Sequence, residues 1–222
     1  MQVEWFGQSA FSLSAPEGTV FIDPFVDMLP LSGRGMKFEY PPIEADDVDL
    51  VLVTHEHRDH NGVEAIGGDP SVLRSTAGRH ESPIGEIVGV ASEHDEAAGT
   101  ERGPNTIFAF GLDGVRVAHF GDFGQSALRP KQAAALGGVD LLFLPVGGGP
   151  TIGAESAAAI VHALEPRWVV PMHFRTPRIS FLESEEEFVG LIDRVERCPA
   201  PSFDTAGLPD GGGTVAVIPA VP

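Results

Sequence analysis

Between Thr54 and His60 the chain reads Thr-His-Glu-His-Arg-Asp-His, so three histidines and an aspartate share the six positions from 55 to 60. Neutral imidazole and carboxylate are the ligands that zinc, iron, manganese and nickel take. In extended backbone His55 and His57 project to one side, and a turn after Arg58 lets Asp59 and His60 face a second ion. The same alternation points Glu56 away. A cation held this way activates water and polarises an ester or phosphate oxygen. Other nucleophiles lack a setting: Ser126 and Ser156 have no nucleophile elbow, and Cys198 is the single cysteine. The run Gly147-Gly148-Gly149-Pro150-Thr151-Ile152-Gly153 offers amides to an anion or serves as a tight turn. No Gly-Lys-Ser/Thr follows it, so it is not a P-loop.

A histidine cluster works only on a rigid support. Asp49-Leu50-Val51-Leu52-Val53 supplies one, a nearly continuous apolar strand of the kind buried on both faces. Upstream, strands are expected at Val3–Phe6, Ala10–Leu13 and Thr19–Ile22, the last ended by Asp23-Pro24. Residues 25–47 read as a long functional loop. Downstream, strands are expected at 71–73, 86–90, 106–110 and 115–118, the last two joined through Gly111-Leu112-Asp113-Gly114 as a hairpin. Strands at 141–146, 168–170 and 214–218 alternate with a helix opened by Pro130 and an alanine-rich helix at 154–164. Ser184 and Glu187 have capping-box spacing, and Phe188, Leu191, Ile192 and Val195 then form one helical stripe. Strands followed by alternating strands and helices predict one α/β domain over 1–222.

The charge narrows the partners. With 14 basic and 32 acidic side chains in 222 residues, the net charge is −18. Such a surface repels phosphate backbones and anionic lipid, so no nucleic acid and no membrane is expected. Lys37 and Lys131 are the only lysines. The N-terminus lacks the basic start and apolar stretch of a leader, no apolar run matches a membrane span, and the lone cysteine forms no disulfide framework. A cytoplasmic protein is expected, with self-association left open.

His55-x-His57-x-Asp59-His60 resembles the signature of the metallo-β-lactamase-fold superfamily. Further motifs follow in order: Asp23 at a strand end, His94 in Ser92-Glu93-His94-Asp95, Asp122 in His119-Phe120-Gly121-Asp122, and His173 in Pro171-Met172-His173-Phe174. The resemblance runs from Gln2 to about His173. Trp5-Phe6-Gly7-Gln8-Ser9-Ala10-Phe11 and Leu144-Pro145-Val146-Gly147-Gly148 resemble the small branch related to L-ascorbate 6-phosphate lactonase. Members of that branch often carry histidine where this chain has Gln8, and an amide cannot carry a proton at neutral pH.

The resemblance implies a four-layer αβ/βα sandwich and two divalent ions, zinc first, with manganese, iron or nickel as alternatives. One ion would take His55, His57 and His94, the other Asp59, His60 and His173, with Asp122 bridging. Asp59 and Asp122 would then be catalytic groups as well as ligands, and Asp23 would orient ligands from behind; His119, on the strand before Asp122, reads as a support for a ligand or as a core residue. A hydroxide held by the ions would attack a carbonyl carbon or phosphorus. Two dications less two carboxylates and a hydroxide leave roughly +1 at the site, which suits a small anionic ester. Phosphodiester and sugar-phosphate lactone both qualify. Arg102 and Arg175, in the loops after His94 and His173, are the candidate anion contacts, and Arg58 is a weaker one. The alternatives are an iron-dependent redox enzyme on the same fold and a metal-binding module without turnover. His80 and His162 read as bystanders.

Overall fold

The computed structural model describes residues 1–26, 28 and 37–222. In chain order the first strands are β1 (Gln2–Gly7), β2 (Ala10–Ala15), β3 (Gly18–Ile22), β4 (Leu50–Val53) and β5 (Ser71–Arg74). Next come β6 (Gly78–Ser82), β7 (Gly85–Glu93), β8 (Pro104–Leu112), β9 (Val115–His119), helix α1 (Pro130–Leu136) and β10 (Leu141–Pro145). Helix α2 (Ala154–Leu164), β11 (Trp168–Met172), helix α3 (Glu186–Gly190), β12 (Arg194–Arg197), β13 (Ser202–Asp204) and β14 (Val215–Ile218) complete the order.

The strands form two sheets. One has six strands in the order β13-β1-β2-β3-β4-β5, the other eight in the order β12-β14-β11-β10-β9-β8-β7-β6. Side-chain alternation sets the layers. Phe11, Leu13, Val20, Ile22, Leu50 and Leu52 point into a core shared with Phe108, Phe110, Leu141 and Phe143 of the larger sheet. Phe21, Val51 and Val53 point the other way, into a second cluster. Two buried faces are why Leu50–Val53 had to be apolar throughout.

Among the described residues the second face is covered by Phe25, Met28, Phe38, Tyr40, Ile43, Val48, Ile66, Ile179 and Leu182. The expected loop 25–47 is therefore, where described, an apolar cover rather than a solvated loop. Asp27 and residues 29–36 of that stretch lie outside the described residues. Helix α2 turns Ala157, Ala158, Ile160 and Val161 into the main core.

One expected element is corrected. The helix after Ser184 covers only Glu186–Gly190, and Arg194–Arg197 is instead a strand in parallel register with β14. The expected stripe breaks accordingly, with Phe188 and Ile192 buried while Leu191 and Val195 are exposed. Ser184 Oγ accepts from the Glu186 amide at 3.2 Å, but the reciprocal arm of a capping box is not formed. Gly190 ends the helix, and sheet pairing decides the rest. No helix among the described residues is long and apolar enough to cross a membrane.

Candidate metal centre

Strand direction gathers the polar residues at one edge of the molecule. Strands β3, β4 and β5 are parallel in one sheet, and β9, β10, β11, β14 and β12 are parallel in the other. Strand β7 runs antiparallel to β8, itself antiparallel to β9, so β7 ends on the same side as β9. Asp23 follows β3, the 55–60 segment follows β4, His94 follows β7, Asp122 follows β9 and His173 follows β11. The carboxyl ends of strands in α/β sheets are where ligand sites form.

Three overlapping groups of ligating side chains result, with the donor atoms of each group within 4.8 Å of one another: His55, His57 and His94; His55, His60 and Asp122; and Asp59, His60 and His173. Each takes side chains from both sheets. These are the seven residues that the sequence placed together.

The all-imidazole group begins with a bend rather than the expected extended run. A turn closed by the His60 amide on the His57 carbonyl at 2.9 Å follows at once. His55 Nε2 and His57 Nδ1 approach to 3.1 Å. Behind them, Thr54 Oγ1 lies 3.1 Å from His55 Nδ1, and the Pro150 carbonyl lies 3.0 Å from His94 Nδ1. With its Nδ1 held by a carbonyl, His94 turns Nε2 inward, 3.0 Å from Asp122 Oδ2.

The second group is more charged. Asp23 Oδ2 fixes His60 Nδ1 at 2.9 Å, and the carboxylate also accepts from the Thr54 amide and hydroxyl, each at 2.8 Å. His60 Nε2 is thereby aimed at Asp122 Oδ1, 3.3 Å away, and at Asp59 Oδ2, 3.6 Å away. His173 Nε2 sits 3.2 Å from Asp122 Oδ2, so Asp122 faces both groups. Asp23 lies behind His60, on the ring nitrogen that faces away from Asp122.

His119 is fully buried and packs against Phe11 and Phe143 of the main core. It touches no candidate ligand; its Nε2 lies 3.0 Å from the Ser9 carbonyl, and its Nδ1 accepts from the Gly121 amide at 3.2 Å. Gly121 has φ +54, and a Cβ there would stand 2.5 Å from both Asn105 Oδ1 and Thr54 Oγ1. Only glycine fits that turn.

Gln8, Asp23 and His173 are non-glycine residues in the left-handed region, with φ of 52°, 50° and 50°. Such conformations persist only where surrounding contacts over-determine them, and they gather at functional sites. Gly147 serves the same end: a Cβ there would lie 2.2 Å from the His173 carbonyl oxygen.

The donor set fits divalent cations. Buried His60 Nε2 and Asp122 Oδ1 have no hydrogen-bond partner among the described residues, an arrangement native interiors avoid unless something else fills it. Burial pushes the His55 imidazole well below its usual range and lowers that of His57, which favours the neutral forms that ligation requires. Burial also pushes His60 down, but Asp122, Asp59 and Asp23 together lift it well above its usual value. Burial pushes the Asp122 carboxyl up, yet His173 and His60 outweigh it and hold the group well below the usual carboxylate range.

The arginines do not join this cluster. Arg58, Arg102 and Arg175 are exposed, and none of their guanidinium groups has a hydrogen-bond or ion-pair partner among the described residues. The Arg102 amide donates to Asp95 Oδ2 at 2.7 Å, within a loop that the Asp95 carboxylate organises. The Gly147–Gly153 run acts on the histidines: Pro150 holds His94, and the Gly147 amide donates to the His173 carbonyl at 3.1 Å. The polar contact that sequence reasoning missed is Gln8, whose Nε2 donates to Asp59 Oδ2 at 3.3 Å. Its signal was the tight turn that puts residue 8 at the edge where β4 ends.

Residues 2–173 match the model of the beta-lactamase superfamily domain. A UPF0173 metal-dependent hydrolase of Thermococcus kodakarensis is 31% identical over 229 residues, covering 88% of this chain and 94% of the relative. Another, from Pyrococcus abyssi, is 32% identical over 216 residues, covering 86% and 92%. Among solved structures, one described as a Zn-dependent hydrolase of the metallo-beta-lactamase superfamily from Thermotoga maritima superposes with a TM-score of 0.77 at 28% identity, covering 99% of each chain. The chain belongs to the beta-lactamase superfamily domain family and, within it, to the UPF0173 metal-dependent hydrolases.

Proposed function

We propose that this protein is a dinuclear hydrolase of small anionic esters, a phosphodiester or a sugar-phosphate lactone, working with two divalent ions, zinc first. The observation that carries the reading is Asp122, whose Oδ2 lies 3.0 Å from His94 Nε2 and 3.2 Å from His173 Nε2 and whose Oδ1 lies 3.3 Å from His60 Nε2, so that one carboxylate meets residues of both groups. A carboxylate so placed would bridge two ions.

His55, His57 and His94 would hold one ion, and Asp59, His60 and His173 the other. Bound there, divalent ions supply Lewis acidity and make water nucleophilic at neutral pH. The protein's own groups do the rest. Asp23 accepts the His60 Nδ1 proton and so fixes the tautomer that leaves Nε2 free. Burial excludes bulk water from Asp122, His60 and His173, which strengthens each electrostatic contact. Two carboxylates against two dications leave the pocket net positive within an acidic chain, which favours an anionic substrate. Arg102 and Arg175 are the side chains proposed to meet its charged end.

The test strips the protein of metal, reloads it with zinc, manganese or iron, and assays phosphodiesters, sugar-phosphate lactones, thioesters and β-lactams. Activity restored on the first two classes supports the reading. Preference for neutral thioesters, or fewer than about two ions per chain after repletion, overturns it.

A further inference from the structure

We propose that Gln8 is a positioning residue for one ion only, the ion assigned to Asp59, His60 and His173; this rests on the dinuclear reading above. Gln8 is buried at 1% exposure in the turn between β1 and β2. It touches that group twice. The side-chain Nε2 donates to Asp59 Oδ2 at 3.3 Å, and the main-chain carbonyl accepts from the His173 amide at 3.3 Å. It has no hydrogen bond to His55, His57 or His94.

Two features show that the arrangement is held rather than incidental. The backbone sits at φ +52, a conformation that L side chains rarely adopt, and the Trp5 indole Nε1 clamps it by donating to the Gln8 carbonyl at 3.1 Å. The side-chain amide must also present its donor to a carboxylate, since two acceptors repel. That orientation leaves Oε1 buried with no partner among the described residues. An amide free to satisfy itself would not bury Oε1 alone, so the contact with Asp59 decides the rotamer.

Asp59 is the ligand most in need of a guide. It lies in the turn 58–60 and is the most exposed carboxylate of the centre, at 22% against 3% for Asp122. A single fixed donor on Oδ2 restricts its rotamers. An amide donor does so without a titratable proton, so the guide is the same at every pH the fold tolerates.

The experiment measures zinc binding by competitive chelator titration, and cobalt(II) absorption spectra, on the full chain and on Gln8→Met and Gln8→Ala. Methionine keeps the side-chain length and the left-handed backbone while removing the donor. The expected result is one site unchanged and the other weakened by about 10- to 100-fold, the usual effect of removing a ligand's hydrogen-bond partner. The cobalt band of the second ion alone should shift, and circular dichroism should show the fold intact in Gln8→Met. Two ions bound by the native chain with both sites unchanged in Gln8→Met, or both weakened equally, overturns the Gln8 role and leaves the dinuclear reading standing. A native chain that binds one ion overturns both.

Discussion

The two halves of the candidate centre are built on different principles. His55, His57 and His94 are imidazoles backed by neutral groups, a threonine hydroxyl and a proline carbonyl. Asp59, His60 and His173 include a carboxylate, and His60 is backed by the buried charge of Asp23. In the first half burial lowers His55 and His57, which favours their neutral forms without metal. The second half carries its own charges, with His60 pushed up and Asp122 pushed down. His55 and His57 are ready to receive an ion, whereas His60 must first release a proton.

Removing the group the halves share should have the largest effect. Asp122→Ala is expected to lower kcat/KM by at least about a thousandfold and to lose one ion outright, read by activity and metal analysis. Retention of two ions in that variant would break the assignment of a common bridge.

Asp23→Ala should separate the halves. It removes three hydrogen bonds from a fully buried carboxylate and should cost about 3 kcal/mol of stability in denaturant titration. Affinity for the second ion should fall about 10- to 100-fold, with a smaller loss at the first.

The proton difference predicts a pH difference. Protonated His60 blocks its ion, so the apparent affinity of the second half should tighten by about tenfold per pH unit as pH rises toward its raised pKa. At the first half, where burial already lowers His55 and His57, affinity should depend less on pH. In the metal-free protein the sign reverses. The stability from the raised His60 pKa is fully present below about pH 6.5 and is lost as pH climbs through the folded value. Chelator titrations and thermal melts across pH check both.

The smallest expected effects are at the rim. Arg102→Ala and Arg175→Ala should each raise KM for an anionic ester by about tenfold or less, with kcat nearly unchanged, because exposed guanidinium groups bind through solvent-screened charge. Equal loss for a neutral ester would argue that these residues shape the loops instead.

Much of this was legible in the chain because the signals were local. Leu50–Val53 and the Gly111–Gly114 hairpin announce themselves by pattern, and the ligands cluster within motifs. The polar edge strands β6, β12 and β13 were not legible, since Gly78–Ser82, Arg194–Arg197 and Ser202–Asp204 are paired only by their neighbours. Val195 looked helical by spacing and is sheet by partnership. For His119 the spacing left a ligand support and a core residue open, and its place, tying Ser9 to the Gly121 turn, is set by contacts distant in sequence. The Gln8 contact spans 51 positions, and the tight turn at residue 8 signals its place but not its partner.

Every ligand group draws on both sheets: β4 supplies His55, His57, Asp59 and His60, whereas the larger sheet supplies His94, Asp122 and His173. An ion seated there would work as a clasp across the sandwich. Neither sheet alone, nor the unfolded chain, presents such a set, so the ions should bind the closed sandwich and stabilise it by mass action. Metal uptake would then double as a folding checkpoint, with the melting temperature climbing with the logarithm of free metal concentration.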